Sequence, residues 1–167
     1  MSTGYNLRAL WGVQNSLTIT NSASQKTIAA PYVSEDGLIT HDNLNWMWPN
    51  FTPMEMACRH CGQIYHWPEF MDRLQQVRED VGRSIHILSA HRCALHNARI
   101  GGAPLSQHLR LAADISLHGH KRQTLMTACK TAGFTGFGYY QTFLHIDLGR
   151  ARHWYGGQKA KSLWQTP

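Results

Sequence analysis

Ser106-Gln107-His108-Leu109-Arg110-Leu111-Ala112-Ala113-Asp114 and, further along, Phe143-Leu144-His145-Ile146-Asp147 each set a histidine near a carboxylate. A strand reading of the second stretch places Phe143, His145 and Asp147 on one face, because strand side chains alternate. The first stretch offers His108 and Asp114 across a short loop that runs into a second strand, residues 112–117. Neutral imidazole and ionised carboxylate are ligands that a borderline-soft divalent ion accepts. Two histidines and one carboxylate, with a fourth position left to water, make the composition of a hydrolytic zinc site. A chain with eleven histidines also places some of them near carboxylates by chance.

More of the chain follows the same order. Phe51-Thr52-x-x-Glu55, Cys58-x-x-Cys61-Gly62, Ser89-x-x-Arg92, His96-Asn97-x-x-Ile100-Gly101-Gly102-Ala103, Gly136-Phe137-Gly138-Tyr139-Tyr140 and Arg152-x-Trp154 flank the two stretches. Together with Ser106-x-His108, Ala113-Asp114 and His145-x-Asp147, this series resembles the zinc D-alanyl-D-alanine carboxypeptidases and L-alanyl-D-glutamate endopeptidases. The blocks resemble those of phage and bacterial murein peptidases in that family, whose fold the hedgehog signalling domain shares. The resemblance covers about residues 51–155. It implies zinc on His108, Asp114 and His145, substrate binding by Arg92, Ser89 and Tyr140, and hydrolysis of peptidoglycan stem or cross-link peptides.

One departure from the family pattern bears on the metal. The family pattern has six residues between the first histidine and the aspartate, with a glycine among them. Here five lie between His108 and Asp114, and Leu111 stands where the glycine is expected. Losing that glycine removes the easy route to positive φ. The rival that follows is a non-catalytic structural or binding component that kept the fold.

Hydrolysing an amide also requires a proton relay. Many relatives carry an acid three residues before the last histidine ligand, where this chain has Thr142. Asp147, on the same strand face as His145, is the nearest acid and the candidate base. Its alternative role is to support a ligand histidine or Arg152. Arg92 offers a bidentate fork for a carboxylate and positive charge for a developing oxyanion, or else a surface ion pair. His91, His96, His118 and His120 are spare candidates with ordinary packing or surface roles.

The composition sets the frame. At 167 residues, with 43% apolar and 16% charged residues, the chain suits one globular domain with an arm. No apolar run approaches the ~20 residues a membrane span needs. The N-terminus shows no basic start followed by an apolar stretch, so no secretory signal is expected. Release by phage lysis, or carriage on a virus particle, is the expected route to a cell wall. The net charge of +6 favours anionic partners, but no basic stripe interleaved with aromatics marks a nucleic-acid face.

Residues 1–50 are rich in Ser, Thr and Asn and read as an arm, either docking on other particle proteins or wrapped on its own domain. Short strands are expected at 17–20 and 32–33, and Gly37-Leu38-Ile39-Thr40 is expected to pair with a partner. Trp46-Met47-Trp48-Pro49 is expected to pack on the domain. Pro68 opens a helix to about Val81 with Phe70, Met71, Leu74, Val77 and Val81 on one stripe. Residues 84–89 read as a strand that delivers Ser89 and Arg92. A second helix is expected over 121–132, then two hairpin strands at 137–140 and 143–148, with 156–167 as a tail. The class is α+β: a mainly antiparallel sheet with helices packed on it.

Cys58, Cys61, Cys93 and Cys129 leave the redox compartment open. Cys58-x-x-Cys61 has metal-knuckle spacing that Cys93 or His66 could complete in space; free thiols and a disulfide are the alternatives. Cys129 falls at a helical core spacing.

Overall fold

The computed structural model describes residues 38–39 and 46–165. The protein divides into two units, Met1–Ala30 and Pro31–Pro167, and every described residue belongs to the second. The strands expected at 17–20 and 32–33, and the docking role given to the arm, lie outside the described residues.

Among the described residues, seven strands and five helices follow one another. They are β1 (Leu38–Ile39), α1 (Pro53–Met56), β2 (Ile64–Tyr65), α2 (Pro68–Asp80), β3 (Ile87–Ser89), α3 (Ala94–Arg99), β4 (Ala113–Ser116), α4 (Arg122–Thr131), β5 (Gly136–Tyr139), β6 (Phe143–Asp147), β7 (Arg152–Tyr155) and α5 (Gln158–Gln165). A 3-10 turn at Gln107–Leu109 precedes β4. The main sheet has the order β3-β4-β6-β5-β7. Its first three pairings are antiparallel, and β5 with β7 is parallel. The structure is therefore α+β with a mostly antiparallel sheet. Leu38 and Ile39 pair with Tyr65 and Ile64 of the same chain rather than with a partner.

Alternation along the strands separates two faces. Ile115, Leu144, Ile146 and Phe137 join one hydrophobic core with Phe70, Met71, Leu74 and Val77 of α2 and with Leu125 and Cys129 of α4. Each such aliphatic or aromatic side chain contributes about 1.5–3 kcal/mol when fully buried. Pro68 supplies the preset φ of a first helical turn. Trp48 is buried in the same core, and its indole N–H donates to Asp72 at 2.8 Å. The Thr52-x-x-Glu55 motif is a capping box that opens α1.

The segment expected as a tail is helix α5. Ala160 and Trp164 are its buried side, and Trp164 donates its indole N–H to the Tyr140 carbonyl at 2.7 Å. Trp164 also lies 4.9 Å from the Tyr139 ring, so α5 closes the β7 side of the sheet.

The opposite face carries a single cross-strand row. Ser89 is opposite Asp114, Asp114 opposite His145, His145 opposite Gly138, and Gly138 opposite Trp154. Two residues further along β6, Asp147 is opposite Gly136, which is opposite Arg152.

Candidate metal centre

His108, Asp114 and His145 meet although the loop between the first two is short. Ser106 accepts from the His108 backbone N–H and caps the 3-10 turn. The His108 carbonyl accepts from the Arg92 N–H at 2.7 Å, tying the turn to the end of β3. Arg110 leaves the turn at φ −102°, and Leu111 is buried in the core. The connection therefore closes with a core leucine where the family pattern has its glycine.

The ligand atoms lie within 4.8 Å of one another. His108 Nε2 is 3.2 Å from His145 Nδ1 and 3.3 Å from Asp114 Oδ1, and His145 Nδ1 is 2.9 Å from Asp114 Oδ1. Two nitrogens ~2.0–2.1 Å from a tetrahedral zinc sit about 3.3 Å apart. The donors fit zinc in kind and in spacing.

Each ligand is oriented from behind. His108 donates Nδ1–H to the Ala90 carbonyl at 2.5 Å, leaving Nε2 as the ligand atom. His145 donates Nε2–H to Asp147 Oδ2 at 2.9 Å, leaving Nδ1. Arg92 Nη2 holds Asp114 Oδ2 at 2.6 Å, so Oδ1 is the oxygen turned to the histidines. Arg92 Nε in turn donates to Ser89 Oγ at 2.8 Å. Both site residues expected on β3 and just beyond it are thus at the cluster.

Asp147 stands behind the ligands. It is fully buried, and both its oxygens accept from Arg152, at 2.8 and 2.7 Å. The Gly149 N–H adds a third donor at 2.7 Å. Two glycines on β5 make this possible. A methyl group at Gly136 would overlap the Asp147 carboxylate and the Arg152 guanidinium; one at Gly138 would lie 2.5 Å from the Trp154 indole and 3.0 Å from His145 Cβ. Trp154 packs 5.0 Å from the His145 ring and donates its N–H to Tyr140 Oη at 3.1 Å. Tyr140 stacks on Phe143 at 4.1 Å, at the end of the same hairpin.

Burial works against the Asp114 carboxylate, but the adjoining His108 and His145 rings outweigh it and hold the group well below the usual carboxylate range. Burial likewise opposes ionisation of Asp147, and His145, Arg152 and the Gly149 N–H overcome it. The two histidines move in opposite directions. Burial lowers His108 below its ordinary value. It also penalises the His145 cation, yet Asp114 and Asp147, one at each ring nitrogen, raise that residue overall.

Residues 49–147 match the family model described as Peptidase M15. The chain belongs to the peptidase M15 family. No curated protein matches it. M15 peptidases are metallopeptidases that use zinc, and the candidate ligands His108, Asp114 and His145 lie within the matched span.

Of the spare histidines, His91 is buried and donates Nδ1–H to the Arg110 carbonyl at 2.7 Å, and His120 Nε2 donates to the Ser84 carbonyl at 2.9 Å. Neither is in the ligand cluster. Reading the sequence missed the Ala90 carbonyl, since a backbone acceptor leaves no residue-type signal. It missed as well that Gly136 and Gly138 clear space for Asp147, Arg152 and Trp154; the Gly-x-Gly pattern was the available clue.

Proposed function

We propose that this M15 peptidase is a zinc enzyme that hydrolyses peptide bonds in peptidoglycan stems or cross-links. The observation that carries the reading is the convergence of His108 Nε2, Asp114 Oδ1 and His145 Nδ1, with Arg92 bound to the remaining Asp114 oxygen. Zinc held there would polarise the scissile carbonyl as a Lewis acid and acidify the attacking water.

The chain's own residues do the rest. Arg92 is fixed by Ser89 and Asp114 through Nε and Nη2, and among the described residues its Nη1 has no hydrogen-bond partner. That nitrogen is the group we assign to a substrate carboxylate or carbonyl oxygen, where a guanidinium also stabilises developing negative charge. Ser89 positions Arg92. Tyr140, held by the Trp154 indole, is assigned to the wall that the peptide lies against.

For Asp147, full burial behind His145 and the double hydrogen bond to Arg152 favour a supporting role over that of base. It keeps the proton on Nε2 and so keeps Nδ1 available to metal. Donor atoms spaced as zinc requires likewise favour an enzyme over a non-catalytic relative. A net charge of +6 suits the anionic polymers of a cell wall, and a phage setting remains part of the proposal.

The test is digestion of purified peptidoglycan. Protein stripped of metal should release no new amino groups, and stoichiometric zinc should restore release. Zinc-loaded protein that leaves peptidoglycan intact would overturn the substrate assignment.

A further inference from the structure

A second group of ligands lies outside this centre. Cys58, Cys61 and Cys93 bring their sulfurs within 4.8 Å of one another. Sulfurs bound ~2.3 Å from one tetrahedral zinc sit about 3.8 Å apart, so the three need only small adjustments to share an ion. All three are free thiols. His96 Nδ1 is 3.5 Å from Cys58 Sγ, close to the ~3.6 Å edge between nitrogen and sulfur on such an ion.

The local folding is that of a metal-binding turn. Cys58-Arg59-His60-Cys61 turns back on itself, with the Gly62 N–H donating to the Cys58 carbonyl at 2.8 Å and Gly62 at φ 72°. Cys93 is the N-cap of α3 and accepts from the His96 N–H at 3.4 Å. Its own N–H donates to Cys58 Sγ at 3.3 Å. Backbone donors aimed at sulfur favour the thiolate that a metal needs. In sequence, the arrangement is Cys-x-x-Cys followed by Cys-x-x-His.

We propose that Cys58, Cys61, Cys93 and His96 hold a second, structural zinc ion. Four protein ligands close the coordination shell, as structural sites require, and leave no open position for chemistry. The ion staples the turn between α1 and β2 to the start of α3. Arg92, which grips Asp114, immediately precedes Cys93, so the same staple fixes the segment that presents the guanidinium to the first centre. This site does not depend on the peptidase reading.

Cobalt substitution separates the two centres, since only thiolate ligands give intense sulfur-to-cobalt absorption in the near ultraviolet. Wild-type protein purified under reducing conditions should carry about two zinc ions per chain and show the sulfur band after cobalt exchange. A His108→Ala, His145→Ala double variant should fall to about one ion and keep the band. A Cys61→Ser, Cys93→Ser double variant should lose the band, and His96→Ala should weaken and shift it. Wild-type protein without the band, or with a Cys58–Cys61 disulfide by mass spectrometry under reducing purification, would overturn the proposal even if every variant misfolded. A band altered by His60→Ala, whose ring lies 3.5 Å from Cys93 Sγ, and untouched by His96→Ala would overturn the fourth ligand.

Discussion

Asp147 Oδ2 lies 2.9 Å from His145 Nε2, on the side of the ring opposite the other ligands, and is held there by Arg152. A carboxylate in that position fixes which ring nitrogen carries the proton. Asp147→Asn keeps the size but can present its amide instead of an acceptor. Zinc affinity should fall about ten- to hundredfold, while the zinc-saturated variant retains most of its turnover. If zinc affinity held and turnover fell ~10²–10⁴-fold, Asp147 would be the general base instead. Zinc titration and peptide cleavage on the same variant read both quantities.

Arg92→Lys removes the fork while keeping the charge. An ammonium cannot bond Ser89 Oγ, Asp114 Oδ2 and a substrate oxygen in the same fixed geometry. Cleavage efficiency, kcat/KM, should fall about ten- to hundredfold, the worth of one charged hydrogen bond. Zinc content should stay near that of the wild type. Unchanged kinetics would detach Arg92 from the substrate.

The proton count of zinc binding follows from the opposite shifts of the two histidines. His108 is lowered by burial and is already neutral near pH 7, and Asp114 is already ionised. Burial penalises the His145 cation, but Asp114 and Asp147 raise it above its ordinary 6.5, so its Nδ1 proton is the one that zinc displaces. Below the His145 pKa, affinity should therefore rise about tenfold per pH unit and level off above it. Isothermal titration below the His145 pKa, with the cysteine site already filled and in buffers of differing ionisation enthalpy, should count about one proton released. A count of two would place His108 in its charged form.

Gly138→Ala tests the space on β5. Its methyl group would press on the Trp154 indole and on His145 Cβ. Overpacking of this kind costs about 1–3 kcal/mol, and displacement of the His145 ring should weaken zinc as well. Denaturant unfolding and zinc titration measure the two effects. Normal values for both would show that Trp154 moves aside freely.

The meeting of His108, Asp114 and His145 was expected from the family resemblance, since local spacing alone sets a histidine near a carboxylate in each stretch without joining the two. Alternation alone placed His145 and Asp147 together on one face of β6. The α2 and α4 stripes were legible for the same reason, as periodic burial. The parallel strand β7 was not, since nothing local in Arg152–Tyr155 says that Gly136–Tyr139 is its partner. Helix α5 was obscured by Gly156-Gly157 and by a buried side of only Ala160 and Trp164. The function of Asp147 was ambiguous for a geometric reason. Spacing fixes the strand face, but not which ring nitrogen a carboxylate meets. Cys93 was legible as a companion of Cys58-x-x-Cys61, but His96 was not, because its approach to Cys58 depends on how α3 meets the turn and not on spacing from the first pair.

The shortened segment between His108 and Asp114 bears on where this family can gain or lose residues. The missing residue falls in the irregular connection between the 3-10 turn and β4, upstream of the cross-strand row. A deletion there leaves the alternation of the strands intact, and in this chain Leu111 of the connection is buried in the core. The same deletion inside β6 would invert every side chain beyond it, sending a ligand into the core and a leucine or isoleucine out to the metal. Length variation among relatives should therefore collect in this connection and spare the strands, making it the natural place to graft new sequence beside the centre.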